Sequence, residues 1–224
     1  MKLDREKYMV AEEVKRLLRS VKTRVRMWGG GCGPSRKKGA PHPNMLRDFA
    51  MLCLDAQTGV RVSELVGFRI GDFRGVIGET RGERPAKVRV RRAKKKDPRT
   101  GGPVYEEIAF PELAQRAIIE YLASLPPARK EPHSRLFPLT TRQAERVFKV
   151  YARRAGLSPK LSIHSLRHSY ALELYTRHRD LKLVQDALGH ADISTTQIYM
   201  HTVDGDSKMA AMDIDLEEGK TDVG

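Results

Sequence analysis

The sequence predicts a mixed α+β fold that is predominantly helical and contains one small antiparallel β-sheet. Two patterns carry this prediction. Apolar residues recur at helical spacing over most of the chain, whereas clean alternation of apolar and basic residues is confined to one stretch in its middle. The length of 224 residues is sufficient to bury one hydrophobic core, so a single main domain is expected.

The N-terminal part predicts two helices with a loop between them. Residues 10–27 place apolar side chains at helical spacing among basic ones, which is typical of an amphipathic helix. Residues 29–43 are rich in glycine and proline and include three consecutive basic residues, so a flexible basic loop is expected. Asn44 is placed to cap a second helix that continues to about Gln57. The turn at Thr58-Gly59 then leads into a short helix.

The middle of the chain has strand character. Residues 73–80 predict a weak strand, and residues 86–93 predict a stronger one because valines lie on one face and basic residues on the other. Residues 104–110 are expected to pair with that stronger strand across a turn at residues 97–102. The result is a small basic hairpin embedded among helices.

Helices resume after the hairpin and continue into the C-terminal region. The predicted segments are residues 111–124, 141–155, 164–177, 180–188 and 194–201. Residues 204–224 hold seven acidic residues and two lysines, and this acidic tail is expected either to be partly disordered or to dock as a short helix.

The charge balance indicates a polyanionic partner. Lysine and arginine total 42 against 28 acidic residues, which gives a formal net charge of +14. A surface this positive attracts nucleic acid, although a generally basic soluble protein has the same composition. Cys32 and Cys53 form no C-x-x-C pair, which favours a reduced intracellular protein without structural zinc. No apolar stretch reaches the length of a membrane span, so a cytoplasmic protein with no membrane partner is expected.

A predicted helix near the C-terminus carries the first candidate site. His164 and Arg167 lie three residues apart, so they share one exposed or cleft-lining helical face close to the helix N-terminus, while the opposite face is apolar. Backbone N–H groups and the helix dipole favour an anion at such an end. A solvated polar face is the alternative interpretation of this pair.

Three further residues extend this anion site. Arg61 follows a turn, and Glu64, one helical turn later, can orient its guanidinium for bidentate contact with phosphate oxygens. His190 follows Gly189, which is expected to end a helix and so to fix the histidine at a corner. Tyr199 lies on the next helical segment. Taken singly, each residue has an ordinary structural explanation, such as a surface ion pair or a half-buried aromatic side chain.

Four segments carry these residues in order along the chain. They are T-G-V-R-V-S-E-L around Arg61, H-S-L-R-H at 164–168, L-G-H at 188–190 and S-T-T-Q-I-Y ending at Tyr199. In order, gaps and flanking residues the chain resembles the catalytic domain of tyrosine recombinases, the phage integrase family, over about residues 9–203. The resemblance implies the tyrosine-recombinase catalytic-domain fold and strand cleavage and rejoining through a covalent 3′-phosphotyrosyl intermediate.

The resemblance also implies roles for individual residues. In the family, two arginines and two histidines hold the scissile phosphate while a tyrosine attacks it. The matching residues of this chain are Arg61, Arg167, His164, His190 and Tyr199. Glu64 is expected to support Arg61, and a lysine on the β-hairpin is expected to protonate the 5′-hydroxyl leaving group.

Three lysines compete for this general-acid role. The family often has Gly-Lys-Gly where this chain has Ala93-Lys94-Lys95-Lys96. Because successive strand residues face opposite sides, Lys94 and Lys96 can point alike while Lys95 points away. Lys94 is the preferred candidate and Lys96 the alternate. The other basic residues of the hairpin are expected to contact DNA: Lys87, Arg89, Arg91, Arg92 and Lys95.

The implied activity is that of a site-specific DNA recombinase or integrase that needs no cofactor, no metal ion and no small-molecule substrate. Its partner is double-stranded DNA, on which a homotetramer is expected, in the cytoplasm at the nucleoid. Two alternatives remain. One is a topoisomerase-IB-like nicking and relaxing activity, and the other is a non-catalytic DNA-binding module with the same fold.

The domain assignment follows the same resemblance. Residues 1–203 are assigned to the catalytic domain and residues 204–224 to the acidic tail. Full-length members of the family carry a helical core-binding domain ahead of the catalytic one, and we expect this chain to lack that domain. The chain is therefore expected to be either a fragment or a minimal recombinase. A C-terminal segment such as residues 209–216 is a candidate for exchange between neighbouring protomers.

Overall fold

A computed structural model describes residues 3–27, 42–73, 87–109, 111–189 and 196–203. Eight α-helices and two strands lie within these ranges. The helices are α1 (Ala11–Met27), α2 (Pro43–Thr58), α3 (Val62–Leu65), α4 (Glu112–Ala123), α5 (Thr141–Arg154), α6 (His164–His178), α7 (Leu181–Leu188) and α8 (196–203), and the strands are β1 (Lys87–Lys96) and β2 (Pro103–Ala109). The predicted fold class, mostly helical with a small antiparallel sheet, is confirmed. None of the described helices is both long and apolar enough to cross a membrane.

The start of α2 differs from the prediction. His42 rather than Asn44 is the N-cap residue, because its imidazole Nδ1 accepts a hydrogen bond from the Asn44 backbone N–H at 3.1 Å. Pro43 occupies the first turn, where its missing N–H costs nothing and its fixed φ suits the helix. The helix therefore begins one residue before the predicted cap.

Other predicted segments lie partly or wholly outside the described residues. Phe73 does not begin a strand but follows a 3₁₀ turn at Ile70–Asp72, whose first backbone carbonyl accepts the Phe73 N–H. The rest of that predicted strand lies outside the described residues. The same is true of most of the loop at 29–43 and of the acidic tail at 204–224.

The hairpin is antiparallel and its pairing becomes irregular near the turn. Pairing is regular from Lys87 opposite Ala109 to Arg91 opposite Tyr105, but the register then shifts before Lys96 pairs with Pro103. Val88 and Val90 are fully buried, so one face of β1 belongs to the core. The three competing lysines at 94–96 fall where the register shifts. Simple alternation from the valines consequently does not fix which way each lysine faces.

The α2 helix forms the centre of the main core. Eleven of its sixteen residues are buried, and it packs against α1, α4 and α6. A helix enclosed by three others has few exposed positions, which explains why its sequence is apolar on nearly every face. Its C-terminal end therefore provides a rigid support for the turn that follows.

A second, smaller apolar cluster holds α8 against α6 and α7. Tyr199 and Leu3 are buried in it, together with residues of both neighbouring helices. The backbone N–H of Leu3 donates to the Thr202 hydroxyl at 2.8 Å, and that of Met9 donates to the Ser169 hydroxyl at 2.8 Å. The segment preceding α1 thus fastens to both α6 and α8 and fixes the helix that carries Tyr199.

Candidate active site

The turn between α2 and α3 brings the first arginine into place. Gly59 has a φ of 57°, and its N–H donates to the Asp55 carbonyl at 2.8 Å, which ends α2. A Cβ atom at Gly59 would lie 2.5 Å from Cδ1 of Tyr170. Both the left-handed backbone and the close approach of α6 therefore require glycine here. Arg61 follows as the N-cap residue of α3.

Glu64 fixes Arg61 and also reaches the hairpin. Its carboxylate accepts from the Arg61 backbone N–H at 2.9 Å and from the Arg61 guanidinium at 3.2 Å. The Ala93 backbone N–H of β1 donates to the same carboxylate at 3.0 Å. The predicted Arg61–Glu64 contact is present, and the buried Glu64 additionally ties α3 to the hairpin.

Arg167 is more buried than its sequence pattern predicted. Its guanidinium donates to the Gly59 carbonyl and, at 3.0 Å, to the Leu188 carbonyl. Carbonyl groups at helix C-terminal ends lack intrahelical partners, so the ends of α2 and α7 attract this cation inward. Burial, reinforced by the nearby positive charge of Arg61, lowers the pKa of Arg167 to about 10. Of the two residues expected on one exposed or cleft-lining face, His164 is exposed and Arg167 is buried behind it.

The C-terminal end of α7 forms the corner that the sequence predicted. Asp180 caps the helix by accepting from the Lys182 and Leu183 backbone N–H groups. Gly189 ends it in a left-handed conformation with a φ of 64°. His190 itself lies outside the described residues, so its role stays a prediction.

Tyr199 is buried and its hydroxyl contacts a histidine of α6. Only 2% of the residue is exposed, and its Oη lies 3.0 Å from Nδ1 of His168. Burial raises the pKa of the Tyr199 phenol, while the positive charges of Arg167 and Arg61 oppose that rise. The nucleophile candidate is therefore a protonated phenol within the electrostatic field of buried Arg167 and half-buried Arg61.

His168 is a site residue that the sequence interpretation did not identify. Burial, with a further contribution from Arg167, lowers the pKa of this imidazole to about 4, so it is neutral at physiological pH. The Tyr199 hydroxyl donates to Nδ1 in the tautomer that carries its proton on Nε2. The sequence shows that His168 directly follows Arg167, but its partner Tyr199 lies 31 residues away. Only the fold brings these two side chains together.

The outer face of the hairpin carries the exposed basic residues that were predicted to meet DNA. Lys87, Arg89 and Arg91 are exposed, and the Arg89 guanidinium lies 4.2 Å from the centroid of the Tyr105 ring. Lys95 is half-buried and its Nζ lies 2.7 Å from the Glu106 carboxylate. Lys96 is exposed, and the side chain of Lys94 lies outside the described part of the chain. The choice between Lys94 and Lys96 stays open.

Arg92 does not belong to that outer face. It is 2% exposed, and its guanidinium lies 2.6 Å from the Glu106 carboxylate and 3.8 Å from the Glu64 carboxylate. Its guanidinium is directed at these two carboxylates and away from the outer face, so the structure gives no support to the prediction that Arg92 contacts DNA. The strand pattern in the sequence indicated this burial, because every second residue of a strand faces the same side and Arg92 follows inward-facing Val88 and Val90 in that series. The two acidic partners make the burial of its charge tolerable.

The arrangement is suited to binding a phosphate group beside a hydroxyl nucleophile. Two guanidiniums held by backbone carbonyls and a carboxylate are preorganised donors for non-bridging oxygens. Within the described residues, no cluster of three or more His, Cys, Asp or Glu side chains could hold a metal ion.

Comparison with known proteins identifies the group to which the chain is related. The profile of the phage integrase family matches residues 7–205. The chain belongs to the phage integrase family. It is 36% identical over 167 residues to tyrosine recombinase XerD of Corynebacterium glutamicum, covering 71% of this chain and 49% of the relative. It is 38% identical over 169 residues to tyrosine recombinase XerC of Herpetosiphon aurantiacus, again with 71% and 49% coverage.

Solved structures of phage integrases and related recombinases share the fold. The chain matches XerH site-specific recombinase bound to palindromic difH substrate in a post-cleavage complex with a TM-score of 0.67 and 23% identity, covering 93% of this chain and 53% of that one. It matches XerA recombinase with a TM-score of 0.62 and 22% identity, at 97% and 66% coverage. It matches a lambda integrase tetramer bound to a Holliday junction with a TM-score of 0.54 and 17% identity, at 89% and 49% coverage.

The matched region is a part of these relatives. The chain spans about half the length of the curated phage integrase relatives that it matches.

Proposed function

We propose that this chain is the catalytic part of a site-specific DNA recombinase that cleaves and rejoins DNA strands through Tyr199. The observation that carries the proposal is the juxtaposition of two fixed arginines with the phenol of Tyr199. Arg167 is buried and held by backbone carbonyls, and half-buried Arg61 is held by the Glu64 carboxylate. Membership of the phage integrase family and the XerC and XerD relatives support strand exchange at a specific site as the activity.

In the proposed reaction, Arg61 and Arg167 bind the non-bridging oxygens of the scissile phosphate. Ionising a phenol of ordinary pKa at neutral pH costs about 4 kcal/mol, so charge stabilisation at the phosphate is essential. The Tyr199 oxygen bonds to phosphorus as its proton passes to His164, and His190 donates a hydrogen bond to a phosphate oxygen. The phosphorus–O5′ bond then breaks.

The leaving 5′-oxygen takes a proton from the hairpin lysine, for which Lys94 is our first choice and Lys96 the alternate. The phosphotyrosyl bond conserves the phosphodiester linkage, so rejoining runs the same steps in reverse and consumes no nucleotide. Because Tyr199 is almost fully buried, α8 must shift before the hydroxyl can leave His168 and reach a duplex phosphate.

The proposed substrate is double-stranded DNA, and the proposed assembly on it is a homotetramer. The exposed basic residues of β1 supply a surface for phosphate contacts, and the net charge of +14 favours association with a polyanion. The lambda integrase tetramer on a Holliday junction provides the precedent for the assembly. We propose that residues 204–224 form a separate acidic tail after the catalytic domain.

Trapping of a covalent complex tests this proposal. The protein is incubated with a nicked suicide duplex, whose sequence the protein itself has selected from a random library, and the products are separated on a denaturing gel. We expect a protein–DNA adduct with the wild type and none with Tyr199→Phe, because phenylalanine keeps the buried ring and removes the nucleophilic oxygen.

Tyr175→Phe is the matched control for this experiment. Tyr175 is buried in the same apolar cluster as Tyr199 but lies on α6, so loss of its hydroxyl should leave adduct formation intact. A wild-type protein that binds its selected site tightly and never forms an adduct would show that the chain is not a recombinase.

A further inference from the structure

Arg92 is the only arginine of β1 whose side chain is fully enclosed. Its neighbour Arg91 is exposed on the opposite face of the strand. The Nε of Arg92 donates to the Glu106 carboxylate at 2.6 Å, which links β1 to β2. The donors of this guanidinium are directed at partners inside the protein, so its charge serves the protein interior.

The same guanidinium also contacts α3 and the end of α7. It lies 3.8 Å from the Glu64 carboxylate, which holds Arg61 and the backbone of Ala93. It donates to the Ala187 carbonyl at 3.4 Å. One side chain therefore meets the hairpin, the element that orients Arg61, and the helix end that precedes His190.

The contact with the end of α7 is close enough to constrain its sequence. A Cβ atom added at Gly189 would lie 2.7 Å from both Cζ and Nε of Arg92. Gly189 therefore serves two purposes, since its positive φ ends the helix and its missing side chain leaves room for the guanidinium. A bulkier residue there would push Arg92 away from its carboxylate partners.

We propose that Arg92 is a positioning residue that fixes the hairpin against α3, and thereby places the general-acid lysine at the leaving oxygen. The inference rests on the proposed recombinase function. Glu64 and Arg92 form a brace between the two elements: Glu64 receives the Ala93 N–H directly, and Arg92 adds a charge contact one residue earlier in β1. A planar guanidinium presents five N–H donors in a fixed fork, so it can contact partners on several elements at once in defined directions.

The test compares two leaving groups in the same strand-cleavage assay. Arg92→Met is expected to lower the rate of adduct formation at saturating DNA by about 100-fold on an ordinary phosphodiester, the range that a general acid contributes. Its Kd for DNA should be unchanged, because the wild-type side chain is enclosed. A 5′-phosphorothiolate substrate, whose thiolate leaves without a proton, should return the variant to near the wild-type rate on that substrate.

A milder variant guards against loss of folding, because Arg92→Met leaves buried carboxylates without their partner. Glu106→Gln removes one anchor of Arg92 at a position that is 29% exposed. It should show the same pattern with a smaller loss, and Glu107→Gln is the matched control. Glu107 is the next residue of β2 and pairs with exposed Lys87 at 3.5 Å, so its variant should cleave both substrates like the wild type.

Two results would overturn the inference. One is an equal loss of rate on both substrates, and the other is a wild-type rate on the ordinary substrate. If Arg92→Met does not fold in thermal denaturation, Glu106→Gln decides by the same criteria. Failure of the proposed function looks different, since the wild type would then form no adduct with either substrate.

Discussion

The outer face of β1 and the interior behind it use the same type of residue in two different ways. Arg89 and Arg91 project from the hairpin into solvent. Arg92 and Arg167 are buried, and half-buried Arg61 joins them, each held by carboxylates or by carbonyl groups at helix ends. The exposed arginines are charges surrounded by water of high dielectric constant, whereas the enclosed ones are fixed in direction by their partners.

The two sets of arginines are expected to affect different properties, namely affinity for DNA and the rate of strand cleavage. Exposed cations attract DNA by releasing counterions, and each contributes a small increment that added salt weakens. Preorganised cations act where charge develops during the reaction, and there a single donor has a large effect. We therefore expect variants of the outer face to change binding and variants of the interior to change rates.

The largest expected effect concerns Arg167. Arg167→Lys keeps the charge but loses the planar fork that the Gly59 and Leu188 carbonyls hold in place, so this residue no longer directs fixed donors at the phosphate. The rate of adduct formation at saturating DNA should fall by about 10²–10³-fold. Single-turnover kinetics measure this directly.

Arg177→Lys is the control for Arg167. Arg177 is an exposed residue of the same helix and pairs with Glu173, so its conservative replacement should not change the rate. If Arg167→Lys altered only the Kd for DNA, the contrast between the two sets of arginines would be lost.

The second effect is on stability and concerns neutral His168. Its folded-state pKa of about 4 lies below the value near 6.5 expected for the unfolded chain, so the unfolded state takes up a proton first as the pH falls. This contribution to stability is fully present above pH 6.5 and is lost as the pH decreases toward 4. By pH 4.5 the loss should be about 2 kcal/mol.

Urea denaturation of the wild type and His168→Gln across this pH range measures the difference. Glutamine does not titrate, so the variant should lack this part of the acid destabilisation. His178→Gln, at the exposed end of α6, should follow the wild type. Parallel curves for wild type and His168→Gln would show that His168 is not held neutral in the folded protein.

The smallest effect concerns Arg89 on the outer face. Arg89→Met should reduce the slope of log K against log salt concentration by about 0.9, as expected for the loss of one phosphate contact. Filter binding or fluorescence anisotropy at several salt concentrations measures the slope. Arg116→Met, which removes an exposed arginine of α4 paired with Glu112, should leave the slope unchanged.

Local patterns were sufficient to predict most of the elements and one important contact. Arg61 and Glu64 lie three residues apart on a short helix, so their pairing follows from helical geometry alone. Gly189 ends α7 as expected, because a left-handed residue after a capped helix is a local feature. Alternation of Val88 and Val90 with basic residues likewise located β1.

Long-range partners were not predictable in the same way. Burial of Arg167 depends on carbonyl groups 108 and 21 residues away, and the His168–Tyr199 contact spans 31 residues. For Arg92 the alternation of inward and outward residues along β1 indicated burial. The acidic partners that make this burial possible lie on α3 and β2, which the local pattern does not show. Only the packing of these elements shows which charges are enclosed.

Mass spectrometry of the trapped adduct tests the central claim most directly. After proteolysis and nuclease digestion of the covalent complex, we expect one modified peptide, with Tyr199 joined to the 3′-phosphate of a nucleotide. A linkage to any other residue, or to a 5′-phosphate, would contradict it.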